Sequence, residues 1–182
     1  MADPADPVPP VPTGAPPADA APGLARLNTA APHDARRLLR EVCAARAWID
    51  AVAARLPCRD ADELYAASDR ATTALAPADL AEALSGHAAI GSPSERDEAS
   101  QREQAGVRGA DDSLLAELAD ANREYRDRFG HVFLICATGR SAEDMLAALR
   151  KRLGNDAATE RGTTREELRR INRIRLERLV QA

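Results

Sequence analysis

Apolar residues recur at intervals of three and four along most of the chain, the spacing that places them on one face of an α-helix. Runs in which apolar and polar residues alternate, as in a half-buried strand, are nearly absent. Alanine, leucine, arginine and glutamate, all strong helix formers, fill most of the sequence. We therefore predict an all-α fold. The predicted helices cover approximately residues 33–46, 47–55, 60–75, 77–86, 94–105, 111–130, 141 onward and 159–179.

Short polar residues and glycines mark where these helices begin and end. Asp60 or Asp62 can cap the third helix, Asp111 or Asp112 the sixth, and Ser141 the seventh, because their side-chain oxygens can accept hydrogen bonds from the first backbone N–H groups of a helix. Residues 131–137 form the one segment that looks extended. This segment is too short and too isolated to make a sheet.

Length and composition predict a single compact domain behind a tail. A chain of 182 residues suits one hydrophobic core. Residues 1–23 are dominated by Pro, Ala and Asp, a composition that favours disorder or polyproline II rather than a packed structure. We expect 1–23 to be a dispensable, disordered tail and 24–182 to be a multi-helix domain; a docking role for the proline run is the alternative.

Charge and cysteine content narrow the function classes. The net charge is −4, and the arginines alternate with acids instead of forming a basic block, which argues against nucleic acid as a partner. No apolar run approaches the roughly 18 residues needed to span a bilayer, and there is no signal-peptide pattern. The three cysteines are scattered without Cys-x-x-Cys spacing, so we expect neither disulfides nor a zinc site, and a reducing cytoplasm as the location.

The stretch from Gly86 to Gly106 concentrates the candidate chemistry. His87 lies in a glycine-flanked loop. If residues 94–105 are helical, Ser100, Glu103 and Gln104 project from one face of that helix. Histidine titrates near neutral pH, so a loop folded over the helix would make His87 and Glu103 a general acid/base pair.

The same stretch resembles the OHCU decarboxylases, and the resemblance extends over roughly residues 24–180. Further short motifs occur in the family's order. The matching positions are Leu27, Asn28 and Trp48, then His87 with Gly91, then Ser100, Glu103, Gln104 and Gly106, then Asn122, Tyr125, Phe129 and Gly130, then 133–135, 139–141, 152–155 and 171–176. One position departs from the family, since Ala88 stands where proline is usual.

The resemblance implies conversion of 2-oxo-4-hydroxy-4-carboxy-5-ureidoimidazoline into (S)-allantoin in urate breakdown. His87 and Glu103 are then the catalytic residues. The implied substrate-binding residues are Ser100, Gln104, Phe133, Ile135 and Arg175. No cofactor and no metal are expected. The expected partner is the small-molecule ureidoimidazoline carboxylate, with no nucleic acid and no membrane, and a homodimer is the candidate assembly.

Each of these residues also has a plain structural interpretation. Glu103 can belong to a solvated charged surface, Ser100 can face water, and the segment around Leu134 can pack in the core. His33 and His131 have no comparable chemical setting, so neither is expected to be catalytic.

Arg175 is notable because a helical wheel places it inside an apolar face. The face is formed by Leu168, Ile171, Ile174, Leu176 and Leu179. A buried guanidinium requires a partner, which is either an internal carboxylate or a ligand carboxylate. The resemblance favours the ligand, and the two-pronged guanidinium suits a carboxylate.

The chemistry that remains is cofactor-free. Lys151 is the sole lysine and lies among arginines and alanines, and there is no glycine-rich phosphate loop. Two rival interpretations stay open. The first is a non-catalytic helical interaction domain, favoured by Ala88 and the long tail. The second is a metal-dependent ureide hydrolase, disfavoured because no His/Asp/Glu set has ligand spacing.

Overall fold

The computed structural model describes residues 21–91 and 109–182, and within these ranges every regular element is a helix. This confirms the predicted all-α class. The helices are α1 (Pro22–Thr29), α2 (Pro32–Arg40), α3 (Arg46–Ala53), α4 (Ala61–Thr73), α5 (Pro77–Ser85), α6 (Asp112–Phe129), α7 (Ala142–Leu153) and α8 (Ala157–Gln181).

Side-chain caps begin all three helices for which the sequence predicted them. Asp60 accepts a hydrogen bond from the Glu63 N–H at 2.8 Å, and Asp111 accepts one from the Leu114 N–H at 2.8 Å. Ser141 caps α7 with a reciprocal bond from Asp144, which is a capping box. Gly130 ends α6 in the left-handed conformation, at φ 76°.

The first two helices differ from the prediction. Helix α1 is not among the helices predicted from hydrophobic spacing. Within it, Gly23 packs against the backbone of Leu179 so closely that a Cβ atom would lie 1.8 Å from the Leu179 oxygen. Helix α2 ends at Arg40 instead of continuing to 46. The chain turns there because Val42, Cys43 and Ala45 are buried in the core, and this burial outweighs helix propensity.

The buried apolar residues form two cores. The first lies among α1–α5 and the C-terminal half of α8 and includes Trp48, Leu64 and Leu168. The second lies between α6 and α7 and includes Leu118, Tyr125 and Met145. The connection between α6 and α7 contributes to both cores.

Helix α8 contacts both hydrophobic cores. It packs against α1 and α4, whereas α6 and α7 pack against each other. Near its start it also contacts the second core through Glu160, which hydrogen-bonds to Tyr125. Among the described residues, no helix is long and apolar enough to cross a membrane.

Candidate active site

His87 lies in the loop that directly follows α5. Its backbone N–H donates to the Leu84 oxygen at 3.0 Å, and the residue is buried, with 9% of its surface exposed. A Cβ atom on the preceding residue, Gly86, would lie 3.0 Å from the Cβ of Ala44. The loop therefore lies close against the connection between α2 and α3.

The far end of the His87 loop is attached to α6. The Asn122 side chain donates to the Ile90 oxygen at 3.0 Å, and Ile90 packs in the second core with Phe133 and Ile135. Asn122 therefore anchors the loop that carries His87. A second bond from the same Asn122 nitrogen to the Leu118 oxygen, at 2.9 Å, fixes the orientation of the amide.

Arg175 approaches the α2–α3 connection from α8. It is buried, with 9% exposed surface, as the helical wheel predicted, and its Nη1 donates to the Val42 oxygen at 3.2 Å. Sequence reasoning offered two kinds of partner, an internal carboxylate or a ligand, and this backbone carbonyl is a third. Residues 42–44 thus contact Arg175 through Val42 and the His87 loop through Ala44.

The segment 133–135 runs between the two cores. Phe133 and Ile135 pack in the second core, whereas Leu134 packs in the first. Alternating directions of this kind are typical of an extended backbone. All three side chains are at most 5% exposed, so their packing fixes the segment firmly.

A buried ion pair lies beneath this segment. Arg152, at the end of α7, donates from Nε to Glu160 Oε1 at 2.8 Å and from Nη1 to the Leu134 backbone oxygen at 2.7 Å. Thr164 accepts a further bond from Arg152 at 3.1 Å. Tyr125 donates to the same Glu160 oxygen, Oε1, and Asn155 donates to Oε2. The network therefore links α6, α7, α8 and the 133–135 segment.

The hydrogen bonds of this network shift the pKa values of Glu160 and Tyr125 in opposite directions. Burial alone would raise the pKa of the Glu160 carboxyl, but the hydrogen bonds from Arg152, Tyr125 and Asn155 outweigh burial and hold this pKa below its usual range. For Tyr125, burial and the hydrogen bond to the ionised Glu160 raise the pKa to about 12. At neutral pH the pair is thus Glu160 carboxylate with Tyr125 hydroxyl.

A second carboxylate from α8 contacts the same segment. Glu167 accepts a hydrogen bond from the Cys136 N–H at 2.8 Å with Oε2 and pairs with Arg170 through Oε1 at 3.0 Å. Glu167 is 7% exposed. By contrast, the N–H and C=O groups of Ile135, between the two attached positions, make no hydrogen bond to any residue that the structure describes.

Three predicted site residues, Ser100, Glu103 and Gln104, lie outside the described residues, as does the predicted helix 94–105. Of the other two histidines, His33 is exposed on α2, and His131 packs edge-on to Tyr125 with ring centroids 5.6 Å apart. Within 21–91 and 109–182, no three His, Cys, Asp or Glu side chains are grouped closely enough to hold a metal ion.

Sequence reasoning missed Arg152, Glu160 and Glu167. A signal was present, since Glu160, Thr164, Glu167 and Ile171 follow one another at helical spacing on the buried side of α8. The argument that led to Arg175, a charge on a buried face, applies equally to these two glutamates.

Comparisons with known proteins agree with this architecture. The chain is 37% identical over 81 residues to the 2-oxo-4-hydroxy-4-carboxy-5-ureidoimidazoline decarboxylase of Amia calva, covering 44% of this chain and 46% of the fish protein. It is 32% identical over 130 residues to the uric acid degradation bifunctional protein TTL of Arabidopsis thaliana, covering 68% of this chain and 40% of the plant protein. The chain therefore spans less than half the length of these two relatives.

A solved structure is also similar. The crystal structure of an OHCU decarboxylase in the presence of (S)-allantoin superposes with a TM-score of 0.69 at 25% identity, covering 79% of this chain and 96% of that chain. The sequence model of the OHCU decarboxylases matches residues 28–177, a range that includes His87, the 133–135 segment and Arg175. The chain belongs to the OHCU decarboxylase family.

Proposed function

We propose that this protein is a carboxy-lyase that converts 2-oxo-4-hydroxy-4-carboxy-5-ureidoimidazoline into (S)-allantoin without a cofactor. Family membership supports the reaction. The observation that carries the proposal to particular residues is the burial of both His87 and Arg175 beside the α2–α3 connection. An imidazole and a guanidinium are otherwise costly to bury in a small helical domain.

The substrate itself can accept the electrons of decarboxylation. The bond between the ring carbon and the carboxylate breaks, carbon dioxide leaves, and the electron pair moves toward the adjacent C=N group to give an ene-type intermediate. The ring nitrogen of that C=N group takes up a proton as it receives the electron pair. A second proton then adds to the ring carbon of the ene-type intermediate while the 4-hydroxyl proton is lost, which gives neutral allantoin with a net uptake of one proton from solvent. Since all of these proton transfers occur at the ring, one titratable group close to it can serve them in turn.

We assign that group to His87, with Glu103 positioning it and relaying protons. Arg175 binds an anionic group of the substrate through its planar guanidinium. Phe133 and the backbone of Ile135 contact the ring, and Gln104 and Ser100 hold the ureido arm, since an amide side chain both donates and accepts hydrogen bonds. Protonation from one face only gives the (S) product.

The decisive experiment follows the product's optical activity. The intermediate is generated freshly from urate, and its decay is monitored by absorbance and circular dichroism with and without the purified protein. We expect faster decay and an optically active product. Racemic allantoin formed at the uncatalysed rate would instead favour the non-catalytic interaction domain, and loss of activity on exhaustive chelation would favour the metal-dependent alternative.

Exchanging one histidine tests the assignment of the proton-transfer group. We expect His87→Asn to lower kcat by at least about a hundredfold, the usual contribution of a general acid or base, with little change in melting temperature. The matched control is His33→Asn, because His33 is exposed on α2. Turnover of His87→Asn close to that of the control would remove His87 from the mechanism.

We also propose a cytoplasmic location, supported by the three free cysteines, and a homodimer as the assembly to be tested. Sedimentation velocity of the purified chain distinguishes a monomer from a dimer.

A further inference from the structure

The two attachments on either side of Ile135 determine where its backbone groups point. The peptide that joins Leu134 to Ile135 and the peptide that joins Ile135 to Cys136 are both trans, so in each the C=O and N–H groups point in opposite directions. Arg152 binds the Leu134 C=O, and the Ile135 N–H therefore points away from Arg152. Glu167 binds the Cys136 N–H, and the Ile135 C=O therefore points away from Glu167.

Among the described residues, this geometry leaves one donor and one acceptor of Ile135 without a partner. The Ile135 N–H and C=O make no hydrogen bond to the described residues, although the Ile135 side chain is buried. A buried backbone group without a partner is unfavourable, and a ligand that offers an adjacent acceptor and donor, as a cyclic amide or a urea does, satisfies both groups at once.

We infer that Glu167 and Arg152 are positioning residues that set the direction of the Ile135 backbone for recognition of the amide edge of the substrate ring. This inference rests on the proposed function. Arg152 is in turn held by Glu160, which receives hydrogen bonds from Tyr125 and Asn155. Glu167 acts on the segment directly, through a single bond, and is therefore the residue at which positioning can be separated from folding.

The direction of the kinetic effect follows from the contacts. The hydrogen bonds from Ile135 are made to a part of the ring that does not react, so they are present in both the ground state and the transition state. Loss of such uniform binding raises KM and leaves kcat unchanged. A purely structural role for Glu167 would lower stability without this separation of KM from kcat.

Three variants test the inference. Glu167→Leu removes the acceptor, and Glu167→Gln retains a side-chain oxygen that can accept the Cys136 N–H. Glu166→Gln changes the neighbouring half-exposed glutamate, whose ion pairs among the described residues are with Arg169 and Arg170. We expect Glu167→Leu to raise KM at least about tenfold with kcat within about threefold, as for loss of well-aligned hydrogen bonds. Glu167→Gln and Glu166→Gln are expected to stay within about threefold of the wild type in both constants.

Backbone amide exchange measured by NMR gives a readout that does not depend on turnover. The Cys136 amide is expected to exchange at least about tenfold faster in Glu167→Leu than in Glu167→Gln. An unchanged exchange rate, or faster exchange with an unchanged KM, would overturn the positioning role while the wild type remains active. A wild type without decarboxylase activity would overturn the proposed function instead, so the two failures are distinct.

Discussion

Replacing Arg152 by methionine tests whether the buried network stabilises the fold as its geometry indicates. The methionine side chain fills part of the same space but cannot donate a hydrogen bond. Arg152 donates to the carboxylate of Glu160, to the Leu134 backbone oxygen and to the hydroxyl of Thr164. The variant therefore leaves a carboxylate and a backbone carbonyl buried without their donor.

The expected magnitude follows from these losses. Leaving a buried carboxylate without its cation costs about 3 to 5 kcal/mol. Tyr125 and Asn155 still donate to Glu160, which favours the lower end of that range. The unsatisfied Leu134 carbonyl adds about 1 kcal/mol or more. Since each kcal/mol lowers the melting temperature of a domain of this size by about 2 to 4 °C, a total of about 4 kcal/mol corresponds to a decrease of about 8 to 16 °C.

Thermal unfolding followed by circular dichroism at 222 nm measures this decrease, and α7 supplies the control. Arg150 lies two residues earlier and pairs with Glu117 at the surface, with 59% and 50% of the two side chains exposed. We expect Arg150→Met to lower the melting temperature by less than about 4 °C, because exposed ion pairs contribute little. An Arg152→Met variant as stable as Arg150→Met would refute the reasoning.

Three further outcomes are expected. The pKa of Glu160 is held below its ordinary value of 4.5, so its contribution to stability is complete above pH 4.5 and is lost as the pH falls through the lowered pKa. In urea unfolding between pH 7 and pH 3, the free energy of unfolding should therefore fall more steeply for the wild type than for Glu160→Gln. Parallel curves for the two proteins would contradict this. Arg175→Leu should raise KM at least about tenfold, the effect of losing one strong binding contact, and should lower the melting temperature by less than Arg152→Met does. A large decrease in melting temperature with an unchanged KM would show that Arg175 has only a structural role. Deleting residues 1–20 should leave the melting temperature and kcat unchanged, because that segment has few apolar residues with which to anchor itself. By contrast, Gly23→Ala should lower the melting temperature, because the added Cβ atom would clash with Leu179. A decrease of several degrees on deletion of residues 1–20 would contradict the expectation for that segment.

Features of the fold that depend on local chemistry could be predicted from the sequence. Asp60, Asp111 and Ser141 cap helices because a short polar side chain reaches backbone groups two or three residues ahead, which needs no tertiary information. Helix α1 could not be predicted in this way. It contains only two buried leucines, and Gly23 is required by a contact with Leu179 at the other end of the chain.

In the candidate site too, some features could be predicted from local sequence and others depend on tertiary contacts. His87 and Arg175 could be chosen from the sequence because one stands in a glycine-flanked loop and the other on an apolar helix face. The bond from Arg175 to Val42 could not be predicted, since it depends on where α2 stops. Glu167 has a helical spacing that places it on the buried side of α8, but its bond to the Cys136 N–H depends on where the segment after α6 lies and could not be predicted.

Helix α8 also fixes the distance between two residues of the proposed site. It runs without interruption from Ala157 to Gln181, and Glu167 and Arg175 lie eight positions apart on it. At about 1.5 Å per residue they are about 12 Å apart along the axis. This separation belongs to the backbone of α8, so substitutions on neighbouring helices do not change the spacing between Arg175 and Glu167, the residue that positions the Ile135 backbone.

Changing this spacing would instead require an insertion or deletion within α8, between the two residues. One residue inserted between Glu167 and Arg175 would turn Arg175 by about 100° and carry it away from the Val42 oxygen. The same insertion in the short connection before Ala157 would leave the spacing of the two residues intact. We therefore expect substrate size to be the most constrained property of this protein's specificity.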